Sequence, residues 1–207
     1  MTSVDSSGTL ARGSGLDSEL QVLLDRRAIH DVVLRYCRGI DRVDADLVRS
    51  CYQDGALDHH VGFTGTVDEF IAWCWPALEQ MSGTRHVLAN HLCEVDGDVA
   101  TAESYVLSYH WQEPFDDSAR NYVGHSRYVD RFARGSDGFW RIADRRVVRD
   151  LTTGITATPG TPGSNATTAG RTARTDPSYT ISKGLVNTHS GNGIPLSAFR
   201  VRSTGRP

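Results

Sequence analysis

Between residues 18 and 82 apolar side chains return every three or four positions, and from residue 84 onward they return at every second one. Leu20, Leu23, Leu24, Ile29, Val32, Val33, Tyr36, Cys37 and Ile40 form one helical stripe. The stripe predicts a long helix that Ser18 and Gln21 open as a capping box and that ends near Gly39. A short helix follows Asp44 and buries Leu47, Val48 and Cys51, and residues 56–63 read as one strand. Thr66 and Glu69 make a second capping box, in front of a helix that turns Phe70, Ile71, Cys74, Trp75 and Leu78 inward.

Residues 84–95, 99–111, 122–134 and 139–150 then alternate and are rich in Val, Tyr and Trp, as strands are. The turns Asp96-Gly97-Asp98 and Gly135-Ser136-Asp137-Gly138 mark two hairpins. Helices first and an antiparallel meander second predict an α+β domain, with helices against one face of a curved antiparallel sheet. The expected domain spans residues 17–151. A Ser/Gly/Thr-rich leader, residues 1–16, and a Thr/Gly/Ser-rich tail, residues 152–207, have too little to bury and are expected to be disordered and flexible. Residues 178–185 and 194–201 are short strand-like pieces in that tail, suited to docking on the body or on a partner.

Composition narrows the function. The 207 residues suffice for one domain with a full core, and no apolar run approaches the ~18 residues of a membrane span. The start of the chain has no apolar core behind a basic segment, which predicts no secretion signal and a cytoplasmic, soluble protein. Cys37, Cys51, Cys74 and Cys93 lack C-x-x-C spacing and are expected to be reduced thiols. Residues 1–151 carry 16 Arg against 24 Asp or Glu, while residues 152–207 carry five Arg and Lys183 against Asp176 alone. An acidic body argues against nucleic acid as a partner. Dinucleotide, nucleotide-phosphate, zinc-protease and calcium-loop motifs are absent, and Gly124-His125-Ser126 begins a nucleophile elbow that Tyr128 breaks. His59 and His60 are adjacent and diverge on a strand, and His86 and His91, five apart, are expected on opposite faces, so no metal site is predicted.

Acid–base chemistry remains. His86 opens the first long strand and shares its face with Leu88, Asn90 and Leu92. Asp41 follows the first helix, and Tyr36 lies on that helix's buried stripe. A carboxylate bonded to an imidazole fixes its tautomer and stabilises the imidazolium, which makes the ring a base near neutral pH. Each residue also has a plain reading: Asp41 as a helix-end turn residue, His86 as a satisfied core histidine, Tyr36 as a core aromatic.

The run from Leu24 to Tyr36, Gly39-Ile40-Asp41, Gly83-Thr84-Arg85-His86 and Arg131-Phe132 through Ile142 resembles SnoaL-like proteins of the nuclear transport factor 2-like superfamily, over residues 18–151. Residues 174–179 are similar to a tail of some relatives. The resemblance implies a cone, in which a curved sheet wraps helices around an apolar pocket, usually in a homo-oligomer. Within the family its chemical parallels include hexachlorocyclohexane dehydrochlorinase, scytalone dehydratase and bile-acid dehydratase. It implies His86, Asp41 and Tyr36 as catalytic residues and Arg149 as a late-strand substrate contact, with Asn90 and Tyr105 as further pocket candidates. Ser108 stands where bile-acid dehydratase has an acidic residue. The implied activity is cofactor-free elimination or isomerisation of a bulky, apolar, oxygenated small molecule. Two alternatives stay open: a non-catalytic β-subunit-like partner of an aromatic-ring-hydroxylating dioxygenase α subunit, and a small-molecule-binding module.

Overall fold

The computed structural model describes residues 11–156 and 176–181. Helix α1 (Ala11–Asp41) is followed by α2 (Ala45–Ser50), the strands β1 (Tyr52–His60) and β2 (Phe63–Thr66), and α3 (Val67–Gln80). Four long strands then run in succession, β3 (Gly83–Asp96), β4 (Val99–Trp111), β5 (Tyr122–Arg134) and β6 (Trp140–Gly154), and a helical turn, α4 (Ser178–Ile181), comes last. The six strands form one curved, open sheet in the order β2-β1-β6-β5-β4-β3, an α+β architecture of the nuclear transport factor 2-like kind. Every neighbouring pair is antiparallel except β1 and β6, which run parallel.

The α1 stripe is the spine of the core: Ile29, Val32, Val33, Tyr36, Cys37 and Ile40 are all buried. Burial of such side chains contributes roughly 1.5–3 kcal/mol each. Leu20, Leu23 and Leu24, read as part of the same stripe, remain exposed. The helix starts at Ala11, so residues 11–16 are helical where a leader was expected, and residues 1–10 lie outside the described chain. Ser18 is accordingly not a cap; its hydroxyl donates to the Gly15 carbonyl within the helix (2.8 Å). The second capping box does form, with Thr66 and Glu69 bonding reciprocally. Asp25 pins the middle of α1 to the far hairpin, accepting two bonds from Arg134 (2.8 and 2.7 Å) and one from the Trp140 indole (3.0 Å).

The end of α1 differs instructively from expectation. Gly39 does not stop the helix. A Cβ there would lie 2.6 Å from Val48 Cγ2, so the glycine lets α2 cross close beneath. The stop is a Schellman turn: Asp44 N–H donates to Gly39 O (2.8 Å) and Val43 N–H to Ile40 O (3.2 Å), with Val43 itself left-handed (φ 52°). Asp41 is thereby the last helical residue, and Asp44 caps α2 by accepting from Leu47 N–H (3.0 Å).

Residues 56–63 are not one strand. Gly62, at φ 83°, turns the chain between β1 and β2. Residues 178–181 form a helical turn where a strand was expected, because Asp176 accepts the Ser178 N–H (2.9 Å) and starts it. This segment lies on the end of α1: Asp176 pairs with Arg42, Tyr179 Oη donates to Asp44 (2.7 Å), and Arg38 donates to Ser178 (2.8 Å). Residues 194–201 lie outside the described chain. The four cysteines are unpaired, and burial pushes the Cys37 thiol up to about 12.

Candidate active site

The Schellman turn places the Asp41 side chain against the first residues of β3. Its carboxylate accepts the His86 backbone N–H on both oxygens (3.1 and 2.9 Å) and the Thr84 hydroxyl on Oδ1 (3.2 Å). On the same Oδ1 it meets His86 Nδ1 at 2.7 Å. The two side chains are only 7% and 11% exposed, for His86 and Asp41 respectively. Burial works to raise the Asp41 pKa, but the bonds and charge of His86, with the Thr84 hydroxyl, outweigh it and hold the carboxyl below its usual range. An ionised carboxylate fixed by two further donors, the His86 backbone N–H and the Thr84 hydroxyl, obliges the neutral imidazole to carry its proton on Nδ1. Nε2 is left as the basic nitrogen.

Around this pair the inner face of the sheet forms a row. Ser108 on β4 lies opposite His86, Gly124 on β5 lies opposite Ser108, and Tyr122 lies opposite His110. The His110 ring meets His86 edge-to-face at 6.0 Å between centroids and stacks on Tyr122 at 4.6 Å. Burial, with the charge of His86 and of Arg149 beside it, pushes His110 down to about 4, so it is neutral at pH 7. Arg149 on β6 reaches over Gly124: a Cβ on that glycine would stand 2.6 Å from Arg149 Nη1 and 2.7 Å from Ser108 Oγ.

Of the residues read from the sequence, His86 and Asp41 come together, and Arg149 joins their row. Tyr36 sits elsewhere in the core. Its ring packs against Tyr52, Phe70 and Tyr128, and the buried Arg145 guanidinium lies 4.1 Å from both the Tyr36 and Tyr128 ring centres. Arg145 is held bidentately by buried Asp130 (2.8 and 2.7 Å), and burial keeps the Tyr36 hydroxyl protonated by pushing its pKa up.

Two further candidates, Asn90 and Tyr105, are exposed. Asn90 belongs to a β-bulge: Leu88 pairs with Val106 and His91 with Ser104, so β3 carries one residue more than β4 there, and Ala89 and Asn90 are both exposed. The bulge reverses the alternation. Leu92, expected beside His86, is 73% exposed, and His91 faces inward with His86 rather than away from it. His91 bonds Ser104 (2.8 Å) and meets the His30 ring at 5.0 Å. Tyr105 lies between inward-facing Ser104 and Val106 and is exposed on the outer face. Neither Asn90 nor Tyr105 reaches the dyad. His110 was missed, although the period-two pattern Ser104, Val106, Ser108, His110 on β4 places it on the inner face.

The sequence model of the SnoaL-like domain matches residues 21–146. The chain belongs to the SnoaL-like domain family. This SnoaL-like domain resembles several solved structures, all at low identity. A hexachlorocyclohexane dehydrochlorinase, LinA-type3 from Novosphingobium barchaimii, is 18% identical with a TM-score of 0.59, over 70% of this chain and 99% of its own. A putative scytalone dehydratase from Novosphingobium aromaticivorans is 19% identical with a TM-score of 0.58, over 73% of this chain and 99% of its own. The Kfla4162 protein from Kribbella flavida is 22% identical with a TM-score of 0.57, over 63% and 93%. These likenesses establish the fold of the SnoaL-like domain. A search of curated protein sequences finds no match. Among the described residues no helix is long and apolar enough to cross a membrane.

Proposed function

We propose that the SnoaL-like domain is a cofactor-independent acid–base enzyme that eliminates water from, or isomerises, an oxygenated small molecule. The observation that carries this reading is the contact at 2.7 Å between His86 Nδ1 and a buried, ionised Asp41 carboxylate whose other acceptor sites are taken by backbone and Thr84. His86 Nε2 removes a proton from carbon, and the C–H electron pair forms the new C=C bond. The bond to a β-hydroxyl breaks, and the imidazolium returns its proton to the departing hydroxide, which leaves as water. For isomerisation the same proton is returned to another carbon. Asp41 is the positioning residue: it holds the tautomer and stabilises the transient imidazolium. Tyr36 takes no step here, since its ring belongs to the Arg145 cluster. The dehydrochlorinase and scytalone dehydratase likenesses support elimination as the class to search first.

The test is turnover by the full chain against hydroxylated cyclic compounds bearing an acidic C–H. Once a substrate is found, His86→Ala should cut kcat by a factor of about 10²–10⁴ with the circular dichroism spectrum unchanged. Asp41→Asn should cut it by about 10² while retaining the fold. A folded His86→Ala protein as active as wild type would sink the proposal.

A further inference from the structure

Arg149 is one of several arginines without a carboxylate partner among the described residues, and it also has a buried, unpartnered nitrogen on the inner face of the sheet. Arg27, Arg42, Arg49, Arg127, Arg134, Arg141, Arg145 and Arg146 each have a carboxylate oxygen within 4.0 Å, whereas Arg149 has none among the described residues. Among the described residues its hydrogen bond is a 3.3 Å contact from Nη1 to the Thr152 hydroxyl, and its buried Nε has no partner there. Directly across the strands, Ser126 is the register partner of Arg149, and the buried Ser126 Oγ also lacks a partner. The two unpartnered groups face the same side of the sheet as His86.

The side chains around these groups are small, and Arg149 packs closely onto Gly124. Ser108, Gly124 and Ser126 occupy successive inward positions of the row, and a Cβ on Gly124 would press on Arg149 Nη1 and Ser108 Oγ. A bulge at Asp150, between the pairs Ser126–Arg149 and His125–Leu151, follows Arg149 directly. Arg149 as a whole is half-buried, but a buried guanidinium nitrogen and a buried hydroxyl left without partners are costly unless a ligand satisfies them. A planar carboxylate does so: one oxygen accepts from Arg149 Nε and the other from Ser126 Oγ.

We propose that the substrate carries a carboxylate, which Arg149 and Ser126 hold so that its reactive carbon lies toward His86. The assignment deepens the elimination reading, on which it rests for the role of His86, and it can be tested apart from that reading because it concerns binding alone. The full chain, labelled with ¹⁵N in its histidine rings, is titrated with acetate, benzoate and 2-naphthoate, and with the neutral amides of the same acids.

At least one carboxylate should bind and shift the His110 and His86 ring signals, and its amide should bind about tenfold more weakly or worse, for want of a charge-assisted bond. Arg149→Met should lose about tenfold or more in carboxylate affinity, and Ser126→Ala a smaller factor. Arg149→Lys keeps the charge without the fork and should fall between, which serves if the methionine variant does not fold. Because the titration reads carboxylate binding and no turnover, a failed dyad leaves this result standing. Amides that bind as well as carboxylates, unchanged affinity in Arg149→Met or Arg149→Lys, or no carboxylate binding up to the highest soluble concentration would each overturn the assignment.

Discussion

Asp41 is a structural clamp and, in the proposed reaction, also a chemical partner. Its carboxylate ties the end of α1 to the start of β3 through Thr84 and the His86 backbone, and the ring of His86 is oriented by the same oxygens. Of the sequence candidates, Asp41 and His86 were legible because a residue at a helix end and a residue at a strand start are meeting points in any α-then-β arrangement. His110 was not singled out, and its effect is measurable. Its pKa falls from about 6.5 in an unfolded chain to about 4 when folded, so the unfolded state binds the proton first. Its contribution to stability is complete above about pH 6.5 and is lost as the pH falls toward 4, at up to about 1.4 kcal/mol per pH unit. Below that range protonation of Asp41, whose folded pKa is also lowered, removes a further share. Urea unfolding at pH 7 and pH 5 should show the loss in wild type and a shallower one in His110→Gln. Equal pH slopes in the two proteins would contradict the burial assigned to His110.

At the scale of elements, the period of the hydrophobic pattern located three of the four helices and all four long strands. It failed where one residue changes the geometry. A single extra residue in β3 reverses the faces beyond Leu88, and nothing in the alternation of residues 84–95 announces it. The hairpin at Gly62 was hidden because His60 and Phe63, on either side of it, read as one strand. The α1 stop was assigned to Gly39 by the general preference for glycine, yet the left-handed residue is Val43, a β-branched side chain that pays for this conformation in steric strain. Val43→Asn should therefore raise stability by about 0.5–1 kcal/mol, read from the urea midpoint, since asparagine tolerates that backbone. A lower midpoint would mean that Val43 packing against its neighbours outweighs the strain.

For the whole molecule, the sheet separates two surfaces. The inner face carries the dyad, Arg149 and the Arg145 cluster, and the outer face carries exposed Val87, Leu92, Tyr105, Val129 and Val148. The acidic body and basic tail meet where Tyr179 donates to Asp44 and Arg42 pairs with Asp176, so part of the tail lies within a few residues of Asp41. That docking was only partly legible, because the segment is short and its anchor Asp44, at the start of α2, lies 135 residues earlier in the chain.

The central claim is that Asp41 sets the proton of His86 on Nδ1 and leaves Nε2 as the base. A ¹H–¹⁵N spectrum of the histidine rings, recorded on wild type and on Asp41→Asn, tests it without a substrate. The neutral His86 ring should be protonated on Nδ1 in wild type, and Asp41→Asn should abolish or mix that tautomer. A wild-type ring protonated on Nε2, or one indifferent to Asp41→Asn, would contradict the claim.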